Sequence, residues 1–227
     1  MKNLSLIFFI ILFFPKYSFS HTDHYKNFNF IEMEIFRNNK VVGFTKYEFL
    51  RKQDELEVKN ETNFEVKIMG VKIFSIFGKS SEKYKNNKLI SFNSETLQNN
   101  KKKYVNLIFN ENSDKFQIDG SSYKGFANKE TIIGNWWNHQ ILQAEAQISP
   151  LSGSIKKQSV EFIKKEIIEM YGKKFTTDHF KLKSSNTNVP DNKKLNFDIW
   201  LDKETNLIVK IAYDRFGNWE YRLKNIN

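Results

Sequence analysis

The sequence predicts a mainly β protein that forms a single curved antiparallel sheet, or half-barrel, with a short helical segment covering part of one face. Apolar and polar residues alternate through most of residues 28–126, and short clusters of Asn, Lys, Asp and Gly interrupt the alternation. The alternation returns near the C-terminus in Leu195–Leu201 and Leu207–Tyr213. Such alternation between turn residues is typical of antiparallel strands.

The individual strands follow from the same pattern. In Leu56–Ile68 the apolar residues share one parity and charged residues hold the other, so one face of the sheet is expected to be buried and the other wet. Asparagine is expected in the turns because it tolerates a left-handed backbone. The predicted strands are Phe28–Arg37, Val41–Leu50, Leu56–Ile68, Val71–Tyr84, Leu89–Leu97, Lys103–Phe109, Lys115–Asp119, Phe175–Lys183, Leu195–Leu201 and Leu207–Tyr213.

Two segments depart from the strand pattern. Trp136–Leu142 crowds large residues without a period of two, which predicts a short helix or a compact loop. Ile155–Tyr171 is open to two interpretations. A helical apolar stripe would end at Gly172 as a C-cap, whereas a hairpin of two strands fits the same residues. The stripe consists of Val160, Ile163, Ile167 and Met170.

The N-terminus has the order of a secretory signal peptide. Lys2 precedes the apolar run Leu4–Phe14, and the small residues Ser18 and Ser20 follow. Because the run is too short to cross a bilayer, we expect cleavage after Ser20 rather than retention as an anchor. The expected domain plan is therefore a signal peptide over residues 1–20 and one mainly β domain over residues 21–227, located in the periplasm with no transmembrane anchor.

Composition excludes several classes of function. The 227 residues contain no cysteine, which rules out disulfides, thiolate metal sites, cysteine nucleophiles and an acylated cysteine anchor. The formal net charge is +10, but lysines are spread among glutamates, so we interpret the charge as a solvated surface, with a functional anion-attracting face as the alternative. We expect no nucleic-acid partner. Glycine-rich phosphate loops, serine elbows and His-Glu-x-x-His motifs are missing from the sequence.

Candidate functional residues centre on the tryptophans. All four, at positions 136, 137, 200 and 219, lie in the last 92 residues of the 227, where they suit either a core plug or the mouth of an apolar pocket. The predicted ligand-binding residues are Trp136, Trp137, Asn138, His139 and Trp200. We predict no catalytic residue, metal ligand or cofactor. A free N-terminal His21 could chelate copper only as a minor alternative.

Several short motifs together carry a family resemblance. They are Gly43, Trp136-Trp137-Asn138, Gly153, Asp198-Ile199-Trp200-Leu201-Asp202, Asp214-Arg215-Phe216-Gly217 and Tyr221. The chain resembles the bacterial exported family catalogued as domain of unknown function 6134, distantly related to domain of unknown function 3108. The resemblance implies a strongly curved sheet, loosely like that of the periplasmic lipoprotein carriers, and favours strands at Val160–Met170. It implies no catalytic residue.

These observations favour a non-catalytic periplasmic protein that binds an apolar or amphipathic, lipid-like envelope ligand. Two alternatives stay open. A hydrolase would use His139 as the base, with Asp198 or Asp214 orienting it. A structural or interaction module of the cell envelope would pair an edge strand with a partner protein.

Overall fold

The computed structural model describes residues 25–186 and 188–227 of the chain. The predicted signal peptide and the His21 alternative lie outside the described residues. The described chain forms fifteen strands in one sheet, with two short 3-10 helices at His139–Leu142 and Asp191–Lys193. The predicted mainly β fold, with a curved sheet and a short helical segment, is confirmed.

The strands hold about two thirds of the described residues. In chain order the strands are β1 (Phe30–Arg37), β2 (Lys40–Lys52), β3 (Glu55–Ile68), β4 (Val71–Lys85), β5 (Lys88–Gln98), β6 (Lys101–Asn110), β7 (Lys115–Gly120), β8 (Lys124–Asn128), β9 (Ile132–Ile133), β10 (Ala146–Ile148), β11 (Ile155–Met170), β12 (Lys173–Ser184), β13 (Asn196–Asp202), β14 (Ile208–Asp214) and β15 (Asn218–Ile226).

The sheet is a meander that grows outward from its two terminal strands. β1 and β15 pair in the middle, β2 to β8 follow on one side, and β14 to β9 follow on the other. Neighbouring strands are antiparallel except for β9 and β10, which form a two-residue parallel pair. The Ser122 amide, between β7 and β8, donates to the Ser152 carbonyl, between β10 and β11, at 3.0 Å. The two ends of the strand order therefore meet, and the sheet nearly closes into a barrel.

Asparagine forms several of the tight turns, as predicted. The pairs Asn38-Asn39, Asn86-Asn87 and Asn99-Asn100 all adopt positive φ at both positions. This backbone matches the two-residue turns that suit the right-handed twist of antiparallel hairpins. Asparagine supplies it at a smaller cost than most residues because its side chain bonds locally.

The ambiguous segment is one strand. β11 runs unbroken over sixteen residues and pairs along its length with β12, with a register shift between Phe162 and Lys164. The helical interpretation is wrong, and so is a hairpin within this segment. Ile163 and Ile167 of the supposed stripe are 44% and 68% exposed, so they share no buried face with Met170. Strands over Val160–Met170, as the family resemblance implies, are confirmed.

Residues 134–154, apart from the short strand β10, cross the concave face of the sheet and fill part of it. The 3-10 helix His139–Leu142 begins at Asn138, whose side-chain oxygen accepts from the Gln140 amide at 3.0 Å. The Trp137 ring is buried, edge-on to Tyr25, Phe49 and Tyr84 at centroid distances of 5.0, 5.4 and 6.0 Å. This segment thus divides the interior into a packed core on one side and open space on the other.

Gly43 of β2 allows the tightest backbone approach in the sheet, and replacing it should destabilise the fold. An added Cβ would overlap the Asn63 carbonyl oxygen and the Phe64 Cβ of β3. We expect Gly43→Ala to lower the free energy of unfolding by about 3 kcal/mol, since the clash is with backbone and cannot relax cheaply. Chemical denaturation of the folded domain measures the effect.

Gly70→Ala is the matched control. Gly70 has a φ of +80° but an added Cβ there meets no atom within 4 Å. The expected loss is about 1 kcal/mol, which comes from the left-handed backbone alone. Equal losses for the two variants would contradict the proposed overlap at Gly43.

Candidate ligand-binding cavity

A cavity of about 1320 Å³ lies on the concave face, between the sheet and residues 134–154. Its wall includes residues of β2 to β5 and of β11 to β15. Ile73, Asn186 and Phe216 also line it, and they sit at one end of the sheet, where the cavity meets solvent. The volume exceeds the range of about 300–1,000 Å³ that holds drug-sized ligands, so a larger molecule fits.

A continuous row of aromatic rings forms one wall. Trp136 contacts Phe197 at 5.0 Å between centroids, and Phe197 contacts Tyr213 at 5.2 Å. The Tyr213 ring then stacks on Trp219 at 5.9 Å. Beyond these, Phe64 and Phe74 extend the row onto β3 and β4. Rings that pack against one another keep their positions when a ligand leaves, so this wall is formed in advance.

Polar side chains of β2 and β3 line the cavity farther inside than the turns at its opening. The Thr45 and Thr62 hydroxyls are 2.7 Å apart, and the Asn60 amide donates to Thr45 at 2.8 Å. Thr62 also donates to the Asn60 side-chain oxygen at 3.2 Å. Because these three side chains satisfy one another, the surface is polar without requiring a ligand.

Basic side chains gather where the cavity opens. Arg37, Lys156, Lys183, Lys194 and Arg215 all line the cavity, although Lys194 pairs with Asp191 at 2.7 Å. Within the part of the chain that the structure describes, no carboxylate lies in ion-pair distance of the half-buried Lys156. Burial, helped by the nearby charges of Arg215 and Lys193, lowers the pKa of Lys156. An anionic group at this place would relieve that repulsion.

A buried carboxyl fixes the segment that separates cavity from core. Glu82 of β4 accepts from the Tyr84 hydroxyl at 2.6 Å, from the Trp137 indole nitrogen at 2.9 Å and from the Asn135 amide. Burial raises the pKa of Glu82 to about 7, against the opposing effect of these donors. Asn135 lines the cavity, so this network positions one of its walls.

Comparison with known proteins establishes the family. The model of a domain of unknown function, DUF6134, matches residues 33–224. The chain belongs to the DUF6134 family. A crystal structure of a beta-barrel-like protein of domain of unknown function DUF1849 from Brucella abortus is similar, with a TM-score of 0.56 at 7% identity over 87% of this chain and 95% of that chain. This likeness concerns the fold alone. No curated protein matches the chain.

The structure separates the five predicted ligand-binding residues of this DUF6134 protein. Trp136 lies in the cavity wall, where its backbone amide faces the Tyr47 hydroxyl at 3.4 Å. The next residue, Trp137, packs into the core instead. Asn138 caps the 3-10 helix, and the His139 ring nitrogen Nδ1 lies 2.7 Å from the Tyr25 hydroxyl. A ligand-binding role for these residues stays a prediction, and the geometry favours it for Trp136.

Trp200, the fifth predicted residue, belongs to a different cluster and is not among the residues that line the cavity. Its ring stacks on His179 at 4.3 Å, and its indole nitrogen donates to Glu166 at 2.8 Å. His179 lies between Glu166 and Asp198, at 3.1 and 3.0 Å. Asp198 is thus bound to His179, and to Lys181 at 2.7 Å, rather than held as a partner for His139.

Part of the cavity wall consists of residues outside the predicted site. Trp219, Phe197, Tyr213 and Tyr221 line it but were not predicted as site residues, although strand parity already placed Phe197 and Tyr213 on buried faces. Strand parity is therefore the signal that could have found them. The basic group was not predictable in this way, because Lys156 and Arg215 are far apart in the sequence and meet only through the sheet.

Among the described residues, no helix is long and apolar enough to cross a bilayer. In the same residues, no group of three or more His, Asp and Glu side chains could hold a metal ion. Asp202 accepts from the Thr205 amide at 2.9 Å within the β13–β14 turn, which is the structural role that turn aspartates usually have.

The Glu82 network predicts a pH dependence of stability. The folded-state pKa of about 7 exceeds the ordinary value of 4.5, so between these values the folded protein binds more protons than the unfolded chain. The contribution of Glu82 to stability should be fully present below pH 4.5 and should be lost, by up to about 3 kcal/mol, as pH rises through 7. Denaturant unfolding across this range measures the slope.

Glu82→Gln should remove that slope, because an amide does not titrate in this range. The fold should be kept, since the amide has an oxygen for Asn135 and Trp137 and a donor for the Tyr84 oxygen. The exposed Glu55 of β3 is the control position, at which the same substitution should preserve the wild-type profile. A slope that persists in Glu82→Gln would show that another group is responsible.

Proposed function

We propose that this DUF6134 protein is a non-catalytic binder of an amphipathic, lipid-like ligand in the bacterial periplasm. The single observation that carries the proposal is the cavity of about 1320 Å³, whose wall of aromatic rings ends near a group of basic side chains that includes Lys156 and Arg215. A preformed apolar wall with a few charged groups at one end is the usual architecture of a ligand site.

The row of rings suits the apolar part of such a ligand. It runs from Trp136 through Trp219 to Phe74, across strands from both halves of the sheet. An acyl chain laid along it would lose contact with water over most of its length, and burial of apolar area is the main favourable term in such binding. The self-bonded hydroxyls of Thr45 and Thr62 would not oppose it.

The basic group suits the polar end of the ligand. Lys156 and Arg215 lie close enough to interact electrostatically, and both line the cavity where it opens. A carboxylate or phosphate between them would gain charge-assisted hydrogen bonds and would offset the partly desolvated charge of Lys156. We therefore propose an anionic amphiphile, such as a fatty acid or a lysophospholipid.

Location in the periplasm is part of the proposal and rests on the sequence. Lys2, the apolar run Leu4–Phe14 and Ser20 support export and cleavage. The two alternatives gain less support from the geometry. Asp198, one of the two aspartates that could orient His139 in a hydrolase, is bound to His179 and Lys181. An edge-pairing module needs a long free edge, whereas the outer strands β8 and β9 have five and two residues.

Trp136 and Trp200 form a matched pair for a binding test. Trp136→Ala should weaken binding of a fatty acid by about tenfold, since it removes part of the aromatic wall. Trp200→Ala removes an equal side chain outside the cavity and should leave the affinity unchanged. Tryptophan emission and the rise in melting temperature with added laurate measure binding, because a ligand that binds only the folded state stabilises it.

The same measurement can overturn the proposal. If no fatty acid or lysophospholipid shifts the melting of the wild-type protein, the cavity is not an amphiphile site. If Trp136→Ala and Trp200→Ala weaken binding equally, the ligand does not lie along the proposed wall.

Lys156 tests the charged end separately. Lys156→Gln should weaken laurate binding by about tenfold and leave binding of the uncharged alcohol dodecanol unchanged, since only the carboxylate needs the ammonium group. Lys59→Gln, at an exposed position of β3, is the control. Equal affinity of the wild-type protein for laurate and dodecanol would remove the anionic part of the proposal and keep the apolar part.

A further inference from the structure

Two exposed apolar side chains stand at the end of the sheet where the cavity opens. Because the strands alternate in direction, the turns after β1, β3, β5 and β14 share this end. Met69, in the turn between β3 and β4, is 99% exposed, and Phe216, between β14 and β15, is 88% exposed. Phe216 also lines the cavity, so this apolar tip borders its opening.

The backbone at both positions makes these residue choices unfavourable for folding alone. Met69 and Phe216 have φ of +50° and +52°, each followed by a glycine at positive φ. Other turns of this chain place asparagine in the same conformation, as at Asn38 and Asn99. A methionine or phenylalanine there is strained and leaves its apolar surface in water. Neither side chain therefore adds to the stability of the fold.

Lysines surround these two turns. Lys67 and Lys72 flank Met69, Lys40 follows the β1–β2 turn, and residues 101–103 after the β5–β6 turn are all lysine. Glu65 pairs with Lys67 and Lys72 at 2.9 and 3.7 Å and offsets part of their charge. The end of the sheet that bears the apolar tips is thus strongly basic.

The opposite end of the sheet also carries lysines, such as Lys85 and Lys88, and differs in the residues at the tips of its turns. Its turns hold polar residues, namely Gln53-Asp54, Asn86-Asn87 and Thr205-Asn206. Tyr171 has a positive φ at this end, but its hydroxyl donates to Glu34 at 2.6 Å and the Lys224 ammonium lies over its ring. Local contacts therefore account for Tyr171, whereas those of Met69 and Phe216 leave nearly their whole side chains exposed.

We infer that the cavity end of the sheet docks on an anionic lipid bilayer, with Met69 and Phe216 entering the interfacial region and the neighbouring lysines contacting lipid headgroups. Apolar side chains flanked by lysines bind such surfaces through buried apolar area and attraction to anionic lipids together. The docking needs no ligand in the cavity. It extends the proposed function, because it would bring the cavity opening to the source of an amphipathic ligand.

Vesicle binding tests the docking surface. The wild-type protein lacking residues 1–20 should sediment with phosphatidylglycerol-containing vesicles and much less with pure phosphatidylcholine vesicles. The double variant Met69→Asn with Phe216→Asn should lower the affinity for the anionic vesicles by at least about tenfold. It should fold at least as stably as wild type, because asparagine is the residue that the other turns use. Tyr171→Asn, at the opposite end, should bind like wild type.

A second measurement reports the contact itself. The chain has no cysteine, so Met69→Cys and Asp54→Cys each offer one attachment point for an environment-sensitive fluorophore. With anionic vesicles, the probe at position 69 should shift to the emission of an apolar environment, and the probe at position 54 should not.

The outcomes separate docking from ligand binding. The docking proposal is overturned if the wild-type protein does not bind anionic vesicles, or if the double variant binds them as tightly as wild type. A protein partner would then be the occupant to test. Laurate binding without vesicles should be unchanged in the single variant Met69→Asn, because Met69 is not among the residues that line the cavity. If laurate fails to bind while vesicles bind, the proposed cavity function is wrong and the docking surface stands.

Discussion

The architecture of this DUF6134 protein depends on the burial of one carboxyl group. An unpaired carboxyl inside a protein costs several kcal/mol, and Glu82 avoids that cost only because Tyr84, Trp137 and Asn135 all donate to it. Two of these donors lie on the segment that crosses the concave face. The segment therefore has one position relative to β4, and the division of the interior into core and cavity follows from it.

Adjacent tryptophans show the consequence of that division. Trp137 is drawn to Glu82 and packs among Tyr25, Phe49 and Tyr84. Trp136, one residue earlier, points the other way and contacts Phe197 and Tyr221 in the cavity wall. Large unfilled space loses dispersion contacts and weakens a fold. The cavity stays open because the rings of its wall pack against one another and do not move inward to fill it.

The sequence allowed most of the sheet to be predicted, because alternation and asparagine turns are local signals. Ile155–Tyr171 was ambiguous because counting apolar positions does not reveal that Ile163 and Ile167 are exposed. The parallel pairing of β9 with β10 involves two residues on each strand, which is too short for any periodicity. These elements are defined by their neighbours in the sheet rather than by their own residues.

The candidate site was predicted less completely, for a related reason. The sequence prediction groups Trp200 with Trp136 because large aromatic side chains suit the mouth of an apolar pocket, yet parity places Trp200 opposite Phe197 and Ile199 on β13. Trp200 accordingly stacks on His179, away from the cavity. Residue type indicates an aromatic site, but strand parity is the better guide to which aromatic residues belong to it. The convergence of Lys156 with Arg215 required the three-dimensional pairing.

The hydrogen bonds inside the cavity explain how one space can accept both ends of an amphiphile. Thr45, Asn60 and Thr62 bond one another, so an acyl chain that displaces water from them breaks none of these bonds. At Lys156 the situation is reversed, because its ammonium group is desolvated beside Arg215 without a carboxylate partner among the described residues. Polar groups that are already satisfied tolerate an apolar neighbour, whereas an uncompensated charge favours an anion. The charged group of a bound amphiphile is therefore expected where its charge is compensated. Its tail is expected on the surface whose polar groups lose the fewest hydrogen bonds when water is displaced.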